Sequence, residues 1–129
     1  MKIISDTLMT EDAAVQLNPL VLAFIGDAVM TLYIRTKLVM TTGVKTNILH
    51  KMAAGVINAT SQSKKAEQLM EEFSESEKAI FLRARNSKTN TVAKNASVTD
   101  YKKASGLEAV IGFLYLTGQN DRLEQILNY

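Results

Sequence analysis

The 129-residue chain has no cysteine, a single histidine and a single proline. The first absence excludes disulfides and thiolate metal sites. One histidine makes a histidine-rich zinc site a poor expectation. Any bound metal would therefore be held mainly by oxygen, which points to a hard cation such as Mg2+. One proline and 47% hydrophobic residues favour a folded, largely helical domain over a disordered one. The opening Met1-Lys2-Ile3-Ile4-Ser5-Asp6 lacks the apolar core of a signal peptide. The most apolar run, Pro19 to Met30, contains Asp27 and is too short to span a bilayer. A cytoplasmic location is the expectation. Length, lack of repeats and lack of a linker predict one domain over residues 1–129.

Strand signals are weak and helix signals strong. Asn18-Pro19 reads as an N-cap with proline in the first turn, opening a helix to about Met40. A second helix starts near Thr46-Asn47 and carries Ile48, Leu49, Met52, Val56 and Ile57 at helical spacing. It breaks near Ala59-Thr60-Ser61 and resumes through Lys64 to Phe73. Ser74-Glu75-Ser76-Glu77 is a capping box opening the next helix. Residues 86–99 have no clear period and read as a long polar loop, a frequent site of function. A helix from about Asp100 to Leu116 should end with Gly118 at the C′ position, and Asn120 caps a short last helix. The expected fold is all-α, with about six to seven helices.

Charge is unevenly placed. Residues 78–103 hold Lys78, Arg83, Arg85, Lys88, Lys94, Lys102 and Lys103 against Asp100 alone, a net +6, while the rest of the chain is net −4. One basic segment on an otherwise acidic chain fits a polyanionic partner, and equally a solvated loop.

Two acids stand alone in apolar surroundings. Asp27 is the only charge in Leu20–Met30, and Glu108 the only one in Gly106–Leu116. A helix apolar on every face is expected to be buried all round. A buried carboxylate must be protonated, paired with a cation, or bound to a metal. One divalent cation could offset both acids; salt bridges to Arg35, Arg83 or Lys51 are the structural alternative. Gly26 and Gly112 lie inside these helices, where glycine costs about 1 kcal/mol against alanine, so each needs a packing or site reason.

Phe24-Ile25-Gly26-Asp27-Ala28-Val29 and Leu107-Glu108-Ala109-Val110-Ile111-Gly112 resemble two helices of the ribonuclease III family. Leu49-His50-Lys51 and the stretch to Ala59 resemble its middle helix. The resemblance covers nearly the whole chain. It is close in detail to the Mini-III branch, catalytic domains without the appended double-stranded-RNA-binding domain, and with the sequence ending at Tyr129 none is expected here. Arg83-Ala84-Arg85-Asn86-Ser87-Lys88, Thr91, Lys94-Asn95, Tyr101 and Ser105-Gly106-Leu107-Glu108 also resemble that branch. Longer members carry further acids where this chain has Leu20, Ala23, Thr46, Asn47 and Ser105, so the site is reduced to one aspartate and one glutamate. The resemblance implies a Mg2+-dependent endoribonuclease that cuts double-stranded RNA, the 23S ribosomal RNA precursor in this branch, and acts as a homodimer. It implies Asp27 and Glu108 as catalytic metal ligands. Arg83, Arg85, Asn86, Lys88 and Lys94 are candidate RNA contacts, and His50 and Lys51 possible site-lining residues. Tyr33, Tyr115 and the methionines read as core, and Tyr101 borders the basic segment. A second reading is a non-catalytic RNA-binding or ribosome-assembly protein on the same fold; a third is a helical scaffold with buried salt bridges.

Overall fold

A computed structural model describes residues 8–87 and 97–129. Seven helices follow in order: α1 (Glu11–Val15), α2 (Pro19–Thr41), α3 (Thr46–Val56), α4 (Ala59–Leu69), α5 (Glu75–Arg85), α6 (Val98–Leu116) and α7 (Asn120–Asn128). No strand occurs among the described residues, so the all-α expectation holds.

Side chains fix most of the boundaries. Asn18 accepts from the Leu20 amide, with Pro19 opening α2. Ser74 and Glu77 complete the capping box of α5. After α6, Gly118 has φ +70°. The Gly118 amide donates to the Tyr115 carbonyl and the Gln119 amide to the Leu114 carbonyl, a Schellman ending. Four boundaries differ from expectation, one of them the end of α4, which falls at Leu69 and not at Phe73. The Asn58 side chain accepts from the Ser61 amide, so α4 starts at Ala59 and the break falls two or three residues earlier. Ser97 caps α6 through the Asp100 amide, which adds two residues to its start. Asn120 is the first residue of α7, and no side chain caps that helix.

α6 is the central element. Every residue from Ala104 to Leu114 is buried except Glu108. α2, α4, α5 and α7 pack around it. Leu22, Val29, Ile80, Phe81, Leu107, Val110, Phe113, Leu123 and Ile126 form the bulk of the core.

α2 is not buried all round, contrary to the reading of its sequence. Leu22, Ala23, Gly26, Val29 and Met30 face inward. Phe24 is 71% exposed, and Val21, Leu32, Val39 and Met40 are also open. Nor does the apolar stretch end at Met30. Over 23 residues α2 is long and apolar enough to cross a membrane by length and composition, but one side of it lies along α6.

Arg122 of α7 locks the start of α5. Its Nε and Nη2 donate to the two carboxylate oxygens of Glu77, both at 2.9 Å, and Nη2 also donates to the Glu72 carbonyl at 2.8 Å. Burial pushes the Glu77 carboxyl up, but bonds from Arg122 and Ser74 outweigh it and hold the group below its ordinary value. A depressed acid contributes stability above its unfolded value, and that contribution is lost as pH falls through the folded value. The Glu77 side chain is 4% exposed, so Arg122→Met strands a buried carboxylate. The expected loss is about 2–3 kcal/mol, read by urea unfolding at pH 7 and shrinking at acid pH.

Candidate active site

α2 and α6 touch backbone to backbone at two reciprocal points. A Cβ at Gly26 would lie 1.8 Å from the Glu108 carbonyl oxygen, and one at Gly112 would lie 1.9 Å from the Leu22 carbonyl oxygen. Leu22 and Gly26 are one turn apart on α2; Glu108 and Gly112 are one turn apart on α6. Only glycine permits this approach, which supplies the packing reason that these two residues required. The crossing also fixes the register of the helices, and Asp27 is the residue next to the contact.

The two carboxyl groups consequently meet. Glu108 and Asp27 are within hydrogen-bonding reach, and the Glu108 carboxyl is pushed up to about 9, first by burial and then by the Asp27 hydrogen bond and charge. Near neutral pH that raised value leaves Glu108 protonated. Asp27 itself is exposed and Glu108 only partly buried, so solvent and ligands reach the pair from the α2 side. Sequence reasoning picked both acids but expected both to be buried. A uniformly apolar helix does not reveal which side it exposes.

Among the described residues, no cluster of three or more His, Asp or Glu side chains could hold a metal. Nor does a salt bridge from Arg35, Arg83 or Lys51 neutralise either acid among these residues. The donor set is two carboxylates, hard oxygen ligands that fit Mg2+ when water and phosphate oxygens complete the coordination sphere.

The other sequence candidates are dispersed. His50 lines an apolar cleft of about 210 Å3 between α2 and α3, with Arg35, Leu38, Val39, Thr46, Leu49 and Ala53; Lys51 is exposed on α3. Arg83 donates from Nη1 to the Val15 carbonyl at 2.9 Å and ties α5 to the end of α1. Arg85 donates from Nε to Asn86 Oδ1 at 3.2 Å, and both line a polar cleft with Thr99, Lys102 and Lys103. Lys88 and Lys94 lie outside the described residues. Lys102 and Lys103 were visible in sequence only as part of the charge count. Their meeting with Arg85 depends on how α5 packs on α6.

An all-helical domain that brings one aspartate and one glutamate together at a glycine crossing has the build of a ribonuclease III domain, and residues 20–119 match the Ribonuclease III domain model. The chain belongs to the ribonuclease III family. Its relatives are more particular. It is 45% identical to the Mini-ribonuclease 3 of Thermoanaerobacter sp., over 93% of this chain and 84% of that one. It is 48% identical to the Staphylococcus aureus Mini-ribonuclease 3 over 87% and 85%, and 42% identical to that of Enterococcus faecalis over 88% of both. A crystal structure of a Fusobacterium nucleatum protein superposes with a TM-score of 0.80 at 34% identity, covering 88% of this chain and 90% of that one. These matches put the chain in the Mini-ribonuclease 3 branch, as an endoribonuclease of the ribonuclease III type.

Proposed function

We propose that this endoribonuclease hydrolyses phosphodiester bonds in double-stranded RNA with Mg2+, held by Asp27 and Glu108. The observation that carries the reading is the carboxyl pair at the Gly26–Gly112 crossing, where the backbones touch and where burial, and then Asp27, raise the Glu108 carboxyl. Mg2+, when bound, supplies an activated water and stabilises charge on the phosphate and the leaving oxygen. The chain's own part is positional. The glycine crossing fixes both carboxyl groups on packed helices rather than on loops, which limits their movement as charge develops. Asp27 is the exposed member and would offer its oxygens to a cation from the solvent side, while Glu108 would have to release its proton to solvent before it could act as a second ligand. Arg85 and Asn86, with Lys88 and Lys94, meet RNA phosphates and 2′-hydroxyls, the features through which duplex RNA is recognised.

The name Mini-ribonuclease 3 accords with a substrate in ribosomal RNA maturation, and the 23S precursor in the cytoplasm is the reading we favour. We also favour a homodimer. Phe24 and Asp27 are three residues apart on α2 and thus neighbours on its surface. Exposed Val21, Phe24, Leu32 and Val39 lie on one side of α2 by helical spacing and form an apolar face. Covering it with a second copy buries that face and sets two acid pairs toward one duplex.

Because the Glu108 carboxyl is raised to about 9, cation binding must compete with a proton there. Apparent Mg2+ affinity should rise by about tenfold per pH unit up to about pH 9, measured as the Mg2+ concentration for half-maximal cleavage. A pH-independent value would contradict proton displacement. The reading as a whole is tested by incubating the protein with double- and single-stranded RNA, with and without Mg2+. Metal-dependent cutting of the duplex alone is expected. Duplex binding without cleavage in any divalent metal would instead favour the non-catalytic RNA-binding alternative.

A further inference from the structure

We infer that the cleft lined by Arg85, Asn86, Thr99, Lys102 and Lys103 binds a backbone phosphate of the RNA duplex away from the cut, with Lys102 and Thr99 as its principal new ligands. The inference rests on the reading of the chain as a double-stranded-RNA nuclease. The cleft has a volume of about 290 Å3, and no carboxylate lines it among the described residues. The five described side chains in its lining comprise three cations, an amide and a hydroxyl, all able to donate to phosphate oxygens.

The cations are not equivalent. Lys103 is paired with Glu67 of α4. Arg85 is oriented by its bond to Asn86. Among the described residues, neither Arg85 nor Lys102 forms an ion pair, so the cleft keeps a net positive charge.

Position separates this cleft from the chemistry. Lys102 and Thr99 precede Glu108 by six and nine residues, about 9 and 13 Å along α6 and roughly 120° and 180° around it. The cleft therefore does not touch the phosphate at the acid pair. Duplex RNA presents phosphates on two strands across a wide, shallow minor groove, so one molecule can meet both places.

The test is duplex-RNA binding without divalent metal, across a range of salt concentrations, together with steady-state cleavage in Mg2+. Lys102→Ala and Thr99→Val should fold as the parent does, judged by melting temperature. Lys102→Ala should weaken binding by about five- to tenfold and reduce the salt slope by about 0.7–0.9, the loss of one phosphate contact. KM should rise while kcat stays unchanged. Glu67→Gln, which releases Lys103, should act in the opposite direction, tightening binding and steepening the slope. Parental affinity and slope in the Lys102→Ala, Thr99→Val and Glu67→Gln proteins, with the parent binding duplex RNA, would overturn the cleft's role and leave the nuclease reading intact. A parent that neither binds nor cuts duplex RNA would instead remove the reading itself. Inorganic phosphate is the remaining probe. If it perturbs the Thr99 amide resonance while Lys102→Ala leaves RNA affinity unchanged, the cleft is a free-anion site and the RNA contact is overturned.

Discussion

Glu108→Gln should abolish RNA cleavage and at the same time make the metal-free protein more stable. The two effects have one cause. In the folded chain the Glu108 carboxyl is held at about 9, by burial first and by Asp27 second. In the unfolded chain it returns to its ordinary value near 4.5. A folded state that keeps a proton the unfolded state has released loses stability as pH rises between those values. Glutamine is neutral throughout and escapes this penalty. The gain in melting temperature should thus be absent near pH 4, grow through neutrality and level off near pH 9. Cleavage falls because glutamine cannot supply the negative oxygen that the cation needs. Loss of several kcal/mol of charge stabilisation corresponds to about a thousandfold or more in rate. A Glu108→Gln protein that cuts duplex RNA at the parental rate would end the assignment, and a lower melting temperature at pH 8 would end the account of the pair.

The second large effect concerns residues with no chemistry of their own. Gly26→Ala or Gly112→Ala places a methyl group within 2 Å of a backbone carbonyl oxygen on the facing helix. No rotamer relieves a clash between Cβ and backbone, so α2 and α6 must separate. Overpacking of this kind costs about 3 kcal/mol or more, measurable by urea unfolding. Where the variant still folds, the separation moves Asp27 relative to Glu108, and a displacement of about 1 Å is enough for a hundredfold loss of rate. Gly55 provides the contrast. It lies within α3 with nothing within 4 Å of a Cβ built there. Gly55→Ala should stabilise by up to about 1 kcal/mol from helix propensity alone. If all three substitutions behaved alike, the glycine crossing would not be what positions the acids.

The parts of the fold that could be read from sequence are those set by local chemistry. Asn18-Pro19, the Ser74–Glu77 capping box and Gly118 each satisfy backbone groups within a few residues, and each lies where its sequence predicts. α1 has only five residues and carries too little periodicity to register. The break at Asn58 was blurred because Asn58, Thr60 and Ser61 are all plausible capping residues. Only the Asn58 side chain bonds the Ser61 amide.

The candidate site divides in the same way. Asp27 and Glu108 stood out because each is a lone charge in an apolar run, and the flanking glycines were visible as misfits. That the misfits and the acids belong to one crossing is a tertiary fact, set by which turn of α2 meets which turn of α6. The exposure of Asp27 was hidden for a related reason: α2 is apolar on the side facing α6 and also on the outer side carrying Val21, Phe24 and Val39, so its sequence has no polar face. Arg83 and Arg85, two residues apart, go to different places. One ties down α1 and the other enters the basic cleft, a divergence that follows from helical geometry once α5 is packed.

The central claim is that Asp27 and Glu108 together hold a divalent cation. Its most direct test is titration of the intact protein with Mn2+, a spectroscopically visible substitute for Mg2+, following the loss of free-ion signal by electron paramagnetic resonance at pH 8. Saturable binding is predicted for the parent and should be lost in both Asp27→Asn and Glu108→Gln. Binding that is unchanged in either variant would contradict the claim.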